Sequence, residues 1–219
     1  MRLRRHSEES GEGNIFWITM TDLMTGLVLV FMVLFFWAYM EGQTSKIQEQ
    51  VAQYSVSEEM KQALSEQNIE ATVEASGIVR IQNLELFDVG SSKLSNKGKA
   101  YLNKFTPIYL NSIFSNEILN NNIEKIVIEG HTDSQSFVGK YSNDEQYMKN
   151  MELSLNRAYE VANYMSKTPY NKEQGDRLRK MIVVSGASFA NPIIVNDKED
   201  YNKSRRVELK LVMKNSPRK

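Results

Sequence analysis

The chain has 219 residues, equal numbers of acidic and basic side chains, and no cysteine. Zero net charge argues against a nucleic-acid partner reached through bulk electrostatics, and the absence of Cys removes disulfides and thiol chemistry. One segment is membrane-like and the remainder is ordinary globular sequence, enough for one domain of common size.

The first residues, Met1-Arg-Leu-Arg-Arg-His6, are basic and precede Ile15–Met40, a run of Ile, Phe, Trp, Leu, Val and Met. At ~1.5 Å per residue this run reaches about 39 Å, enough for the ~30 Å hydrocarbon core of a bilayer. It exceeds the ~7–15-residue core of a cleaved leader and lacks a small-x-small cleavage site. Trp17 and Trp37–Tyr39 stand near its ends, where aromatic rings favour the interface. The basic flank predicts a cytoplasmic N-terminus (residues 1–14), a single span (15–40) and a C-terminal region in the periplasm of a Gram-negative cell.

Asp22 is the one charge within that run. An ionisable group there costs about 2.5–3.5 kcal/mol on insertion scales, so it faces protein or water and marks an ion pathway. Thr19, Asp22, Thr25 and Gly26 share one helix face, with Leu, Val, Met and Phe opposite. Small and hydroxylated faces pack against other helices. One helix forms no conduit alone, so a multi-span partner is implied. The bland alternative is that Asp22 only hydrogen-bonds a neighbouring helix.

Residues 41–76 read as a polar connector with Gly42 and no Pro. Ile47, Val51 and Tyr54, then Met60 and Leu64, recur at loosely helical spacing. From Gly77 onward strands and helices alternate. Ile78–Gln82 predicts a strand and Asn96–Ile113 a helix with Ala100, Leu102, Phe105 and Leu110 inward. Ile123–Glu129 predicts a strand, Glu152–Ser166 a helix, Met181–Val184 a strand and Arg206–Met213 a last strand. The predicted class is α+β: an N-terminal transmembrane helix, then a β/α/β/α/β domain over 77–214 with helices on one face of a mixed sheet. Residues 215–219 are a tail.

Three loops hold the polar chemistry: Gly130-His131-Thr132-Asp133, Asn150 through Leu153, Ser154 and Arg157, and Asn202 through Arg205-Arg206. Asp133 accepts hydrogen bonds from an ammonium group, and Arg157 offers a planar fork to a carboxylate. Together they would grip a group carrying both charges, such as an amino acid. A helix start near Asn150 would add backbone N–H donors. Taken singly, Asp133 suits a turn cap and Arg157 a surface ion pair; Arg205 and Arg206 suit a tie from strand to core or a rim. His131 has no Cys or Glu/His spacing that suits zinc, so no metal site is expected. No Ser-His-Asp, Cys-His or paired-carboxylate arrangement is evident, so an enzyme is not expected.

Two resemblances follow. The stretch Phe16-Trp-Ile-Thr-Met-Thr-Asp22-Leu-Met-Thr25-Gly resembles the membrane signature of stator-type motor B subunits, of the flagellar MotB kind and of the ZorB kind from the Zorya anti-phage system. That resemblance implies that Asp22 carries the ion, a proton or sodium, with Thr19 and Thr25 lining the path and no other cofactor. It implies a homodimer inside a ring of multi-span A subunits. The Phe-Trp-Ile opening, Asp-Leu-Met and the short connector lean toward the ZorB kind; a MotB-like stator and a passive membrane-to-wall tether are the alternatives. The second resemblance covers about Gly77 to Lys214. Leu86-Phe87-Asp-Val-Gly90, Gly130-His-Thr-Asp133, Asn150 through Arg157-Ala158, Gly186-Ala-Ser188 and Asn202 through Val207 are similar to the OmpA-like peptidoglycan-binding domain. It implies that Asp133 and Arg157 hold the diaminopimelate of a stem peptide, with Thr132, Asn150, Leu153 and Arg206 lining or shaping the pocket. The loop Ser134–Lys149 departs from the family by its length and by lacking a Gly-Ser pair after the Asp.

Overall fold

A computed structural model describes residues 9–88, 90–135, 139–168 and 172–214, with the side chains of 9–14, 45 and 83 left aside. The expected C-terminal tail lies outside the described residues. The chain divides into two compact units, Met1–Gln48 and Glu49–Lys219.

The first unit is helical. Helix α1, Glu9–Glu66, begins here and includes the whole apolar run. That run is long and apolar enough to cross a membrane, and its large side chains from Ile15 to Met40 all face outward. Its threonines turn their hydroxyls back onto the helix. Thr19 donates to the carbonyls of Ile15 and Phe16, Thr21 to Trp17 and Thr25 to Thr21, at 2.7–3.1 Å. This back-bonding satisfies each hydroxyl without a partner helix.

The second unit opens with the last turns of α1. Ala52, Val56, Met60 and Leu64 recur every fourth residue and are buried in its core. The structure corrects the expected apolar face of the connector. Met60 and Leu64 belong to the buried stripe, but Ile47, Val51 and Tyr54 are exposed. At about 100° per residue, Val51 and Tyr54 fall on the opposite side from Met60. The helix stops where Asn68 adopts a positive φ of 53° and the Ile69 amide returns to the Leu64 carbonyl at 2.9 Å, a left-handed C-terminal stop.

Strands β1 (Thr72–Val73) and β2 (Val79–Gln82) and the short α2 (Asn83–Leu86) follow. Next come α3 (Asn96–Ser115), α4 (Glu117–Asn122), β3 (Ile123–His131), α5 (Asn143–Met165), α6 (Lys172–Met181) and β4 (Ile182–Gly186). A small hairpin, β5 (Ile194–Val195) and β6 (Lys198–Glu199), leads through α7 (Tyr201–Ser204) to β7 (Arg206–Met213). The main sheet has the order β1-β2-β7-β3-β4, with β3–β4 parallel and the other pairs antiparallel. The mixed sheet and the α+β class therefore stand as expected.

Period-two alternation decides what each sheet face carries. Register places Val79 beside Leu209, Leu209 beside Ile128, and Ile128 beside Val184. This apolar row joins one core cluster with Leu102, Phe105, Tyr109, Leu110 and Ile113 of α3 and with Ala158, Val161 and Met165 of α5. The adjacent row runs Arg80, Glu208, Glu129, Ser185 on the other face. Two carboxylates directly opposite one another repel. Cations resolve this: Arg80 Nε and Arg206 Nε reach Glu208 at 2.8 and 2.6 Å, and Lys210 Nζ reaches Glu129 at 2.5 Å and Glu208 at 3.0 Å.

Several boundaries differ from expectation, and Ala100 of α3, expected inward, is exposed. Strand β3 continues past Glu129 because Gly130 and His131 still pair with Val207 and Arg206. Met181 ends α6 rather than opening β4. Helix α5 starts at Asn143, well before Glu152, because Ser142 and Glu145 form a reciprocal capping box.

Candidate functional site

The site in the second unit lies where β3 leaves the sheet. Gly130 and Gly186 are register partners on β3 and β4. A Cβ on Gly130 would stand 2.0 Å from the Ser154 carbonyl oxygen, and one on Gly186 would stand 2.8 Å from the Leu155 nitrogen. Helix α5 therefore runs in backbone contact over the β3–β4 pair, which carries Asn150 through Arg157 to the strand ends. Ser188, at φ 51°, locks the junction. Its amide donates to Ser154 Oγ at 3.1 Å, its hydroxyl to the Tyr147 carbonyl at 3.1 Å, and its carbonyl accepts from the Thr132 amide at 2.9 Å.

Thr132 and Asp133 are buried, as is Arg157, which is 4% exposed although charged. Arg157 Nε donates to the Ser91 carbonyl at 3.0 Å and its guanidinium lies 5.4 Å from the centre of the Phe87 ring. The loop after α2 thus holds the fork in place, while its terminal nitrogens make no hydrogen bond among the described residues. Burial holds the Arg157 guanidinium down to about 10, the like charge of Arg205 adds to this, and Asp133 opposes it. Burial pushes the Asp133 carboxyl above its ordinary range, with Arg205 working against that shift and Glu199 adding to it.

Arg205 Nη1 is 3.5 Å from Asp133 Oδ2, and its Nη2 donates to Asn202 Oδ1 at 2.6 Å. Glu199 accepts from the amide and hydroxyl of Ser134, next to Asp133. The local charges are therefore two guanidiniums and two carboxylates. Three buried polar atoms here, Thr132 Oγ1, Asp133 Oδ2 and Arg205 Nε, have no hydrogen-bond partner among the described residues. An unmade bond at a buried polar atom costs about 1–3 kcal/mol. A ligand with one ammonium and one carboxylate would offer partners of the right charge to these atoms.

Of the expected pocket residues, Thr132, Asp133 and Arg157 come together. Asn150 is buried and donates to the Gln146 carbonyl at 3.0 Å; Leu153 is half-buried on the same helix. Both lie inside α5, so the expected helix start with its free N–H groups is not beside the site: the Ser142 cap moves it to Asn143. Arg206 faces away. Its Nε meets Glu208 and its Nη1 donates to the carbonyls of Asn191 and Ser204 at 3.2 and 3.1 Å. Successive side chains at a strand start point to opposite sides, so Arg205 takes the place beside Asp133. Arg205, expected at a rim or as a tie to the core, stands beside Asp133, and Glu199, which no sequence pattern marks, comes next to it.

His131 faces the charged row. Its Nε2 lies 3.0 Å from Glu129 and 3.5 Å from Glu208. Donor atoms of these three residues lie within 4.8 Å of one another. Strand spacing alone hid this group, because Glu208 arrives from β7. Arg80, Arg206 and Lys210 bind the same carboxylates, so the arrangement has the chemistry of an ion network. Its fields hold the Glu129 carboxyl down to about 2, through the His131 hydrogen bond first and Lys210 next, against the opposing effect of burial.

In the first unit, the outward face of α1 carries Thr19, Asp22 and Thr25.

Comparison with known proteins bears on both units. The OmpA family model matches residues 86–206. A Zorya protein ZorB from Escherichia coli strain Crooks is 31% identical over 216 residues, covering 92% of this chain and 89% of that protein. A second Zorya protein ZorB, from the Escherichia coli strain ETEC, is 29% identical over 223 residues, covering 95% and 83%. The crystal structure of a MotB-like protein from Desulfovibrio vulgaris aligns with a TM-score of 0.53 at 19% identity, covering 75% of this chain and 96% of that one; this likeness concerns the fold.

Proposed function

We propose, for a chain that belongs to the ZorB family and whose C-terminal domain belongs to the OmpA family, the role of an ion-carrying stator subunit tethered to the cell wall in a Zorya-type anti-phage defence motor. The observation that carries this reading is the pairing of two devices in one chain. Asp22 is the one charge in the apolar run of α1, and the second unit holds a cluster of opposite charges, Asp133 with Arg157 and Arg205, where β3 leaves the sheet. The ZorB likeness covers 92% of the chain, well beyond the OmpA-family match at 86–206, which supports a reading that uses both units.

The apolar part of α1 crosses the inner membrane once, with the N-terminus in the cytoplasm and the OmpA-family domain in the periplasm. Asp22 changes charge as a proton or sodium ion passes, and Thr19 and Thr25 line that path. Their hydroxyls already satisfy themselves on the helix, and a hydroxyl so bonded keeps lone pairs for a passing cation. The remaining walls of the path come from a ring of multi-span A-type subunits around a dimer of this chain. The pocket grips the diaminopimelate of a peptidoglycan stem peptide: the ammonium goes to Asp133 and the carboxylate to Arg157. Held by the wall, the subunit resists the torque that ion flow generates in its partners. The chain performs no covalent chemistry.

The test is Asp22→Asn in the assembled complex. Phage protection and ion current are expected to disappear, while expression and sacculus binding persist. An unchanged current would leave a passive tether as the remaining reading.

A further inference from the structure

Two guanidiniums, Arg157 and Arg205, feel the Asp133 charge, and only Arg157 has a place in the account above. Arg157 is fixed by Ser91 and Phe87. Arg205 is held at its outer end by Asn202, stands 3.5 Å from Asp133, and has a buried Nε with no hydrogen-bond partner among the described residues. Neighbouring Arg206 differs: its donors go to Glu208, Asn191 and Ser204. Arg205, unlike Arg206, thus has a donor to spare among the described residues. Its like charge also acts on Arg157, so an anion placed between the two forks removes an unfavourable pair.

We infer that Arg205 is a second donor to the ligand's carboxylate, so that the pocket selects an amino-acid end whose carboxyl group is free and rejects the amidated form. This rests on the wall-binding reading. When the ligand ammonium engages Asp133, that carboxylate is shared, and Arg205 Nε and Nη1 turn to the incoming carboxylate. Arg157 holds the same group from the other side. A carboxylate has about four lone-pair sites and accepts from both forks. A carboxamide carries no charge, and its NH2 end offers hydrogens to donors that need acceptors. Amidation therefore removes charge-assisted bonds to two guanidiniums and leaves buried N–H groups facing N–H groups.

The experiment titrates the full chain in detergent micelles with two soluble muropeptides. They are identical except that the diaminopimelate carboxyl is free in one and amidated in the other. Wild type is expected to bind the free acid at least about tenfold tighter. In Arg205→Gln this ratio narrows by about tenfold, through loss of affinity for the free acid. Arg205→Lys restores part of the ratio, since it returns the charge without the fork. Asn202→Ala, which releases the outer end of Arg205, narrows the ratio in the same direction and stands in if the glutamine variant folds poorly. Equal weakening of both muropeptides by Arg205→Gln, with the ratio intact, overturns the inference while sparing the wall-binding reading: Arg205 then only steadies Asp133. Failure of wild type to bind either muropeptide overturns both.

Discussion

Gly130→Ala tests whether the β3–α5 contact positions the site. The added Cβ would stand 2.0 Å from the Ser154 carbonyl oxygen and 2.8 Å from its carbonyl carbon, well under the 3.0 Å that real Cβ atoms respect. The obstacle is backbone within a helix, so no side chain can rotate out of the way. Helix α5 must retreat by roughly 1 Å, taking Ala158, Val161 and Met165 away from the core. Overpacking of this kind costs about 1–3 kcal/mol, and a backbone obstacle belongs at the upper end, about 3 kcal/mol. For a domain of this size that corresponds to a melting temperature lower by about 6–12 °C. The same retreat separates Arg157 from Asp133, so retention on purified sacculi should fall with it. The assay is scanning fluorimetry on the full chain in micelles beside sacculus cosedimentation. Gly42→Ala serves as control, because nothing lies within 4 Å of its added carbon. A Gly130→Ala protein that melts with wild type and still binds sacculi would refute the reasoning.

Three further outcomes are expected. Met60→Ala, in the buried stripe of α1, should cost about 3 kcal/mol in urea unfolding, whereas Tyr54→Ala on the exposed side should change stability by less than about 0.5 kcal/mol; equal effects would count against the packing of that stripe. The Glu129 carboxyl sits at about 2 rather than its ordinary 4.5, and Glu208 lies lower still, held by His131, Arg80 and Arg206 against burial. Because these folded-state values are depressed, their stabilisation is complete above the ordinary carboxylate range. It is lost as pH falls through the folded values, so urea midpoints should decline from about pH 4.5 toward about pH 2, and a flat profile would contradict the network. Asp133 is shifted the other way, upward by burial. Wall retention should therefore weaken on acidification before ordinary aspartates protonate, measured where circular dichroism remains native. Asp133→Asn should start weak and show no such pH response.

Much of the fold could be read from periodicity because its central strands alternate cleanly. Ile126 and Ile128, and Val207 and Leu209, lie inward as their spacing requires. The early start of α5 was written in Ser142 and Glu145, but the charged turns after them carry little apolar pattern. Helix α6 was harder: Gly175, Leu178 and Met181 are its buried residues, and the remainder is polar. The connector misled because two apolar stripes occupy one helix, and spacing does not say which one meets the core. In the site, Asp133 and Arg157 were legible as complementary charges. Their third partner was not, because Arg205 and Arg206 are identical side chains in adjacent positions. Strand register and the turn through α7 decide which of them faces Asp133. The grouping of His131 with Glu208 was hidden for the same reason, since it depends on β7 lying beside β3.

If the chain bears load as proposed, the last turns of α1 set how that load would enter the second unit. Ala52, Val56, Met60 and Leu64 interlock with the interior, so a pull along that rod meets sliding resistance from several side chains at once. A cord fastened at its tip would peel away one residue at a time. Built this way, the helix would come free only when these four side chains leave the core together.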